Sequence, residues 1–191
     1  MFGPQNPLIF PSTSLRTTLD NLGCMVEVQR LFTKAYRLGI LQRVWRKIRR
    51  SPNHLLDLAQ IHKSFRITNA HYKGIEIVPI DRIIGSESRS RDFDANFYPV
   101  SEHNRERWTR VAAARLMQVV LPPPELIKIE GHYFVRDGHH RISVAKILGE
   151  KHVDSEVTEW QVEGSLYQQV CGNEGNSIAM GGANLLGQMT R

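Results

Sequence analysis

The stretch from residue 133 to residue 148 joins a strand pattern directly to a helix pattern. An extended apolar run, Tyr133 to Val135, leads into the dipeptide Asp137-Gly138, which is typical of a tight turn. Apolar residues then recur at helical spacing, at Ile142, Val144, Ala145, Ile147 and Leu148. The sequence therefore predicts a strand, a short turn and a helix that bury their apolar faces in a common core.

The polar residues of this turn predict an anion site. The first amides of a helix have no internal partner and the peptide dipoles add up there, so a helix start attracts negative charge. Gly138 lets a ligand approach the backbone closely, and Arg141 can bind two oxygens at once. His139 and His140 add hydrogen-bonding nitrogens. In the binding interpretation Asp137 caps the helix or orients a histidine, whereas in the alternative interpretation Asp137 only caps the helix and Arg141 is a solvated charge.

The whole chain favours a cytoplasmic protein with one core. At 191 residues it can bury one good core, and residues 1–14 lack the basic start and apolar centre of a signal peptide. It contains no run of the ~20 apolar residues that a membrane-spanning helix needs. Cys24 and Cys171 lie far apart, and no further ligand cluster accompanies the adjacent histidines, so neither a disulfide framework nor a metal site is predicted.

The net charge of +6 comes from the N-terminal third of the chain. Residues 1–66 hold eleven Lys or Arg against three Asp or Glu, whereas residues 67–191 hold fourteen against sixteen. From Val28 to Ile48, apolar residues recur at helical spacing between the cations, which predicts that one side of the helix packs against the rest of the protein.

Three interpretations fit this basic amphipathic helix: a solvated or partner-packing helix, a nucleic-acid contact, and attachment to an anionic membrane surface. A nucleic-acid contact would neutralise phosphates without reading base sequence. Its candidate cations are Arg43, Arg46, Lys47, Arg49 and Arg50.

Composition divides the chain into four segments. Residues 1–19, rich in Pro, Ser and Thr, are predicted to be a flexible N-terminus, and residues 20–65 a basic helical extension. Residues 66–164 carry strand, loop, helix, hairpin, helix and strand patterns in that order, which predicts an α+β domain with a small mixed sheet and packed helices. Residues 165–191, dominated by Gly, Asn, Gln and Ser, are predicted to be a mostly disordered tail.

Local signals predict the individual elements. Gly39 is expected to break the basic stretch into two helices, and Ser51-Pro52 to open a short helix that ends near Ile61. The other predicted elements are a strand at 75–80, a polar loop at 85–99, a helix at 101–118, a hairpin turn at Glu130-Gly131, a helix end at Gly149 and a strand at 153–160.

Three motifs resemble the ParB N-terminal/sulfiredoxin superfamily, in particular small bacterial proteins with a ParB-like nuclease domain. They are Val78-Pro79-Ile80-Asp81-Arg82-Ile83, Leu121-Pro122-Pro123-Pro124 and Phe134-Val135-Arg136-Asp137-Gly138-His139-His140-Arg141. Arg91-Asp92-Phe93-Asp94 with Tyr98-Pro99 resembles a pattern of the same subgroup. The resemblance runs from Ile77 to Trp160 and implies a ParB/sulfiredoxin-like domain that handles nucleotides.

Members of this superfamily differ at the turn. Sulfiredoxins have Gly-Cys-His-Arg with a reactive cysteine, and this chain has His139 in the cysteine's place, so the resemblance does not imply sulfinic-acid reduction. ParB partition proteins have Gly-Glu-Arg-Arg, bind CTP and use a following helix-turn-helix domain on DNA. Only Gly138 and Arg141 match that pattern, and no such domain is predicted after Trp160.

The free-serine kinases that use ADP offer a third comparison. They hold phosphates with an Asp-Gly-His-His-Arg-like turn and place a carboxylate base in the loop after the first strand. Glu87 is nearest to that position in this chain. Because phosphoryl transfer depends mostly on positioning and charge neutralisation, the turn and one base would suffice for a small-molecule kinase.

The resemblance therefore implies that the turn binds a nucleotide or another phosphorylated ligand. CTP, ATP and ADP are the candidates, and Mg²⁺ is a candidate companion ion. The implied binding residues are Asp137, Gly138, His139, His140 and Arg141, with Arg89 and Arg91 closing the site from the loop. Two alternatives stay open: a DNA-associated accessory protein that uses the basic helices, and a small-molecule kinase with Glu87 as its base.

Overall fold

The computed structural model describes residues 13–50, 54–62 and 65–163, with side chains in the first helix from Leu22 onwards. Its helices are α1 (Thr13–Ile48), α2 (Leu58–Ile61), α3 (Arg105–Leu116) and α4 (His139–Ile147). Its strands are β1 (Leu56–Asp57), β2 (Arg66–Pro79), β3 (Ile83–Ser86), β4 (Glu125–Ile129), β5 (His132–Asp137) and β6 (His152–Glu163). Single 3-10 turns, Ile80–Arg82 and Glu102–Asn104, precede β3 and α3.

A mixed sheet of six strands lies at the centre, in the order β1-β3-β5-β4-β6-β2. β1, β3 and β5 run parallel, and β4 is antiparallel to β5 across the predicted Glu130-Gly131 hairpin turn. β6 is parallel to β4 and antiparallel to β2. The prediction of a mixed α+β fold is confirmed. Because neighbouring parallel strands point the same way, the carboxyl ends of β1, β3 and β5 meet at one edge of the sheet.

Successive side chains of a strand point to opposite faces of the sheet, so the buried residues form two clusters. Leu126 and Val135 join one cluster, whereas their neighbours Ile127 and Phe134 join the other. The first cluster also contains residues of α1, α3 and α4, and the second contains Leu58 of α2. Helices therefore cover both faces of the sheet, and α4 is fixed above the edge where β5 ends.

α1 is one continuous helix, so the expected break at Gly39 is wrong. A Cβ at Gly39 would lie 3.1 Å from the Cβ of Tyr98 and 3.4 Å from the carbonyl oxygen of Pro99. The absence of a side chain therefore lets the loop after β3 pack onto the helix. Two turns earlier, Phe32 is fully buried, and its ring meets the edge of Trp108 at a centroid distance of 5.5 Å. The apolar stripe of α1 thus joins the main core.

The segment after α1 differs from its prediction. The short helix begins at Leu58 rather than at Ser51-Pro52, because the Asp57 carboxylate caps it by accepting the amide of Ala59 at 3.0 Å. β1 precedes this helix and pairs with β3, so residues 54–62 belong to the sheet domain rather than to a helical extension.

The start of β2 and the start of the polar loop also differ from their predicted positions. β2 begins at Arg66 instead of Ile75, because β6 supplies backbone partners along its whole length. The polar loop begins after Ser86, because Gly85 and Ser86 pair with Phe134 and Val135 of β5.

Residues 1–12, 51–53, 63–64 and 164–191 lie outside the described part of the chain. The disordered tail at 165–191 stays a prediction, whereas α1 begins at Thr13, inside the segment expected to be flexible. Within the described ranges, no helix combines the length and the apolar character needed to cross a membrane.

Candidate functional site

The carboxyl ends of the parallel strands bring together polar residues that are far apart in sequence. Asp57 ends β1, Ser86 ends β3 and Asp137 ends β5. The Ser90 hydroxyl donates to Asp57 at 3.2 Å, and the amide of Glu87 donates to β5 at 3.0 Å. Ligands of sheets with parallel strands commonly bind at this edge, where the connecting loops diverge. The edge therefore holds the predicted turn and the loop after β3 side by side.

A hydrogen bond joins these two segments through Ser86 and His139. The Ser86 Oγ lies 2.7 Å from His139 Nε2 and is fully buried. The same oxygen accepts the amides of Ser88 at 3.2 Å and Arg89 at 2.8 Å. Both of its lone pairs are then used, so its only proton is donated to Nε2. His139 is therefore a neutral imidazole that carries its proton on Nδ1.

His140 is buried without a hydrogen bond. Its side chain is part of a residue only 7% exposed, and neither Nδ1 nor Nε2 has a partner in the described part of the chain. The ring lies edge-on to Phe93 at a centroid distance of 5.2 Å, while His139 stacks on the same Phe93 ring at 6.1 Å. Because buried polar atoms are normally paired, His140 is a side chain that lacks an expected partner.

Burial lowers the pKa of both imidazoles from 6.5 to about 4. Positive charge acts in the same direction: Arg89 lowers the pKa of His139, and Arg107 followed by Arg89 lowers that of His140. Both rings are therefore neutral near neutral pH. They contribute N–H donors and nitrogen acceptors to the site, whereas its positive charge comes from the arginines.

Stability is expected to fall as the pH falls from about 6.5 to about 4. In this window the unfolded chain binds protons at these histidines and the folded chain does not, so acidification favours unfolding. At ~1.4 kcal/mol per pKa unit, the loss between neutral pH and pH ~5 is about 2 kcal/mol for each ring. Urea unfolding at several pH values measures this slope.

Single substitutions distinguish the contribution of the two histidines to this pH dependence from that of other titrating groups. His139→Gln and His140→Gln should each flatten the slope, whereas Val120→Gln, at a 94% exposed residue with no titratable group, should leave it unchanged. Burial raises the pKa of Asp94, and this shift increases the stability of the folded protein as the pH falls. The wild-type curve therefore contains opposing contributions, and the comparison of each variant with wild type is more informative than that curve alone. Equal slopes in all four proteins would contradict the assignment.

Three arginines around the edge are paired with carboxylates. Arg136 donates to Glu87 at 3.0 Å and lies 5.8 Å from the ring centre of Trp160. Arg89 lies 3.5 Å from Asp92. The remaining pair joins Arg141 to Asp137. Glu87 and Arg89, both predicted site residues, therefore lie in the loop beside the turn and are held in position by these pairs.

Arg107 and Arg91 are not paired. Both guanidinium groups are exposed and have no ion pair or hydrogen bond among the described residues. Among the charged groups, Arg107 on α3 lowers the pKa of His140 most, so its guanidinium lies near that ring. Arg91, a predicted site residue, lies on the loop after β3, and within the described ranges no hydrogen bond or ion pair links it to either histidine.

The helix start has no side-chain cap, which corrects the prediction for Asp137. Gly138 is the N-cap residue of α4, with φ of 92°, and no side chain accepts its first amides. A Cβ at Gly138 would lie 2.7 Å from Pro124 and 2.8 Å from the Arg141 Nε. The turn therefore requires glycine for its backbone angle and for space, and no side chain accepts the first amides of α4.

Arg141 turns toward the triple-proline segment. Its guanidinium donates to the carbonyl oxygens of Pro122 and Pro123 and to the Asp137 carboxylate. In this arrangement it clamps the turn to the segment before β4. These three bonds use three of the five guanidinium N–H groups, so donors for the predicted phosphate contact remain.

The candidate nucleic-acid residues separate into two groups. Arg43 packs over the ring of Tyr36 at 6.0 Å, and both Arg43 and Arg46 act electrostatically on buried Asp94, so these two face the domain. Lys47, Arg49 and Arg50 are exposed near the end of α1. The structure does not bring any of the five to the histidine turn, and their contact with nucleic acid stays a prediction.

Sequence reasoning missed Ser86, Phe93, Arg107 and Arg136 as parts of this site. For Ser86 a signal existed, because a serine at a strand end often accepts amides of the next residues. The other three depend on how α3, β5 and the loop pack together, which no local pattern reveals.

Metal binding finds no support among the described side chains. No three His, Cys, Asp or Glu residues of this part are grouped to hold a metal ion. The carboxylates nearest the turn, Glu87, Asp92 and Asp137, are each engaged by an arginine. Mg²⁺ would therefore have to compete with three ion pairs, and these residues do not fit a preformed magnesium site.

Comparison with known proteins gives one weak structural likeness. No protein-family model matches the chain, and no curated protein matches it. The crystal structure of sulfiredoxin from Arabidopsis thaliana aligns with 44% of this chain and 82% of its own, at 18% identity and a TM-score of 0.31. Such a likeness supports no transfer of activity or of site residues, and membership of the ParB N-terminal/sulfiredoxin superfamily stays a prediction.

Proposed function

We propose that this protein binds a nucleotide or another phosphorylated ligand between the loop after β3 and the turn before α4. The observation that carries the proposal is the buried ring of His140, whose two nitrogens have no hydrogen-bond partner among the described residues. A neutral imidazole carries one N–H, and a phosphate oxygen is a strong acceptor for it. Binding would therefore satisfy a group that folding leaves unpaired.

Charge at the site favours an anion. The guanidinium groups of Arg89 and Arg107 act on His140, and only Arg89 is paired with a carboxylate. The uncapped amides of α4 add the positive end of its helix dipole. A ligand with several negative oxygens can use all three features together, which a carboxylate of smaller charge cannot do as well.

Titration calorimetry of the purified protein with CTP, ATP, ADP and inorganic phosphate tests the proposal. We expect saturable binding of at least one nucleotide, with inorganic phosphate binding at the same site more weakly because it makes fewer contacts. Circular dichroism of the same sample shows whether the protein is folded. A folded protein that binds none of the four ligands would overturn the proposal.

Phosphoryl transfer to a small hydroxyl compound is the second candidate function. Its specific support is the position of Glu87, directly after β3 and beside β5, at the same edge as the histidine turn. The carboxylate is held by Arg136 at 3.0 Å, and it would accept the proton of the attacking hydroxyl.

Glu87→Gln is expected to separate catalysis from binding. In a phosphoryl-transfer assay with ATP or ADP and free serine, the variant should lose about 100-fold in turnover, since it removes the base. Nucleotide affinity should change by less than about threefold, because the amide can still accept from Arg136. Turnover that survives the substitution would remove Glu87 from this role.

A further inference from the structure

The outer side of α1 carries an exposed apolar surface, which we call the α1 outer face. It consists of Ile40, Leu41, Val44, Trp45 and Ile48. Their exposed fractions range from 42% for Ile40 to 70% for Ile48. Side chains of this size and number are usually buried, and a contiguous exposed group of them marks a contact surface.

This face points away from the core. Gly39 lies against Tyr98 and Pro99, so its side of the helix faces the domain. Ile48 follows nine residues later, which is two and a half turns at about 3.6 residues per turn, so it projects from the opposite side. The core packing of α1 is thus complete without the α1 outer face, which is free for another partner.

Exposed cations border the face, whereas Arg43 and Arg46 on the same helix face the domain. Eight Lys or Arg and no Asp or Glu lie between Glu27 and Asp57. Lys47 and Arg49 flank the apolar residues and are exposed, and the Arg49 guanidinium lies 5.6 Å from the ring centre of Trp45. The combination of a basic border with an exposed tryptophan and branched aliphatic residues is typical of helices that lie in the plane of a membrane surface.

We propose that the α1 outer face binds an anionic lipid surface, with Leu41, Trp45 and Ile48 inserted among the acyl chains and Lys47 and Arg49 at the headgroups. The proposal does not depend on the ligand site at the sheet edge. A convex single helix suits a deformable lipid surface, and each cation near an anionic leaflet strengthens the attachment.

Other occupants fit the same surface less well. A second copy of the chain would bring two basic helices together without acidic partners, and nucleic acid would leave the apolar residues exposed to water. Residues 164–191 contain a single acidic residue, Glu174, and so offer little charge to match the helix.

Vesicle sedimentation of the full chain tests the proposal. We expect binding to vesicles of equal parts phosphatidylcholine and phosphatidylglycerol, weak binding to pure phosphatidylcholine, and loss of binding at high salt. Leu41→Gln combined with Trp45→Gln, and separately Lys47→Glu combined with Arg49→Glu, should each weaken binding at least about tenfold. Binding should also shift the emission of Trp45 to shorter wavelength.

Matched controls exclude general effects of surface change. Val120→Gln removes an apolar side chain that is 94% exposed elsewhere, and Arg110→Glu reverses an exposed cation on α3, so both should bind vesicles like wild type. Circular dichroism and urea unfolding show that each variant is folded. Three results would overturn the proposal: no vesicle binding by wild type, equal binding by both vesicle types, or salt-sensitive DNA binding that depends on Lys47 and Arg49 but not on Leu41 and Trp45.

Discussion

Gly85→Ala is expected to destabilise the protein by about 3 kcal/mol or more, or to prevent folding. A Cβ at Gly85 would lie 2.4 Å from Cδ1 of Phe134 and 2.6 Å from the carbonyl oxygen of Leu56. Neither neighbour can yield, because the Phe134 ring is fully buried and the carbonyl belongs to the backbone of β1. The new methyl group would force β1, β3 and β5 apart just before the edge that carries the site. Urea unfolding measures the loss.

Gly23→Ala is the matched control for this substitution. Gly23 lies in α1 with no atom within 4 Å of an added Cβ, so alanine should raise the free energy of unfolding by up to about 1 kcal/mol through helix propensity. If Gly85→Ala unfolded at the same urea concentration as wild type, the close packing of β3 between β1 and β5 would be wrong.

His140→Leu is expected to weaken ligand binding strongly without lowering stability. Leucine fills a similar volume against Phe93 and removes two buried nitrogens that have no hydrogen bonds, so the free energy of unfolding should stay equal or increase. Affinity for the nucleotide should fall at least about tenfold, since the imidazole N–H is lost. Calorimetry and urea unfolding of one sample give both quantities.

Two controls accompany His140→Leu. His152→Leu changes an exposed histidine of β6, and Arg110→Ala removes an exposed cation of α3 that pairs with Glu106, so both should keep wild-type affinity. If His140→Leu destabilised the protein by several kcal/mol and bound ligand normally, the ring would be a structural residue with no part in the site.

Local sequence patterns were sufficient to predict the elements in the second half of the domain. The Glu130-Gly131 turn has positive φ at both residues, and Gly149 has φ of 82° after α4; positive φ is expected of the two glycines but uncommon for Glu130. The hairpin and α4 follow from neighbours in sequence. The start of β2 could not be found this way, because its first residues are exposed and owe their extended form to pairing with β6.

The candidate site was predictable only in outline. The turn and its histidines follow from sequence, but the Ser86–His139 hydrogen bond joins residues 53 positions apart and sets the protonation state of the imidazole. Both rings also lie against Phe93, and burial lowers both histidine pKa values, so the two imidazoles are neutral. The sequence located the two histidines, but tertiary packing determines their protonation state.

Nuclear magnetic resonance of the imidazole groups tests the central claim most directly. The protein contains eight histidines, and isotope labelling of histidine alone gives one set of ring signals for each. On saturation with the nucleotide that binds best, the ring signals of His140 and His139 should shift most, while those of His152 and His103 stay in place. Shifts confined to histidines away from the turn, with His139 and His140 unchanged, would contradict a phosphate site at this edge of the sheet.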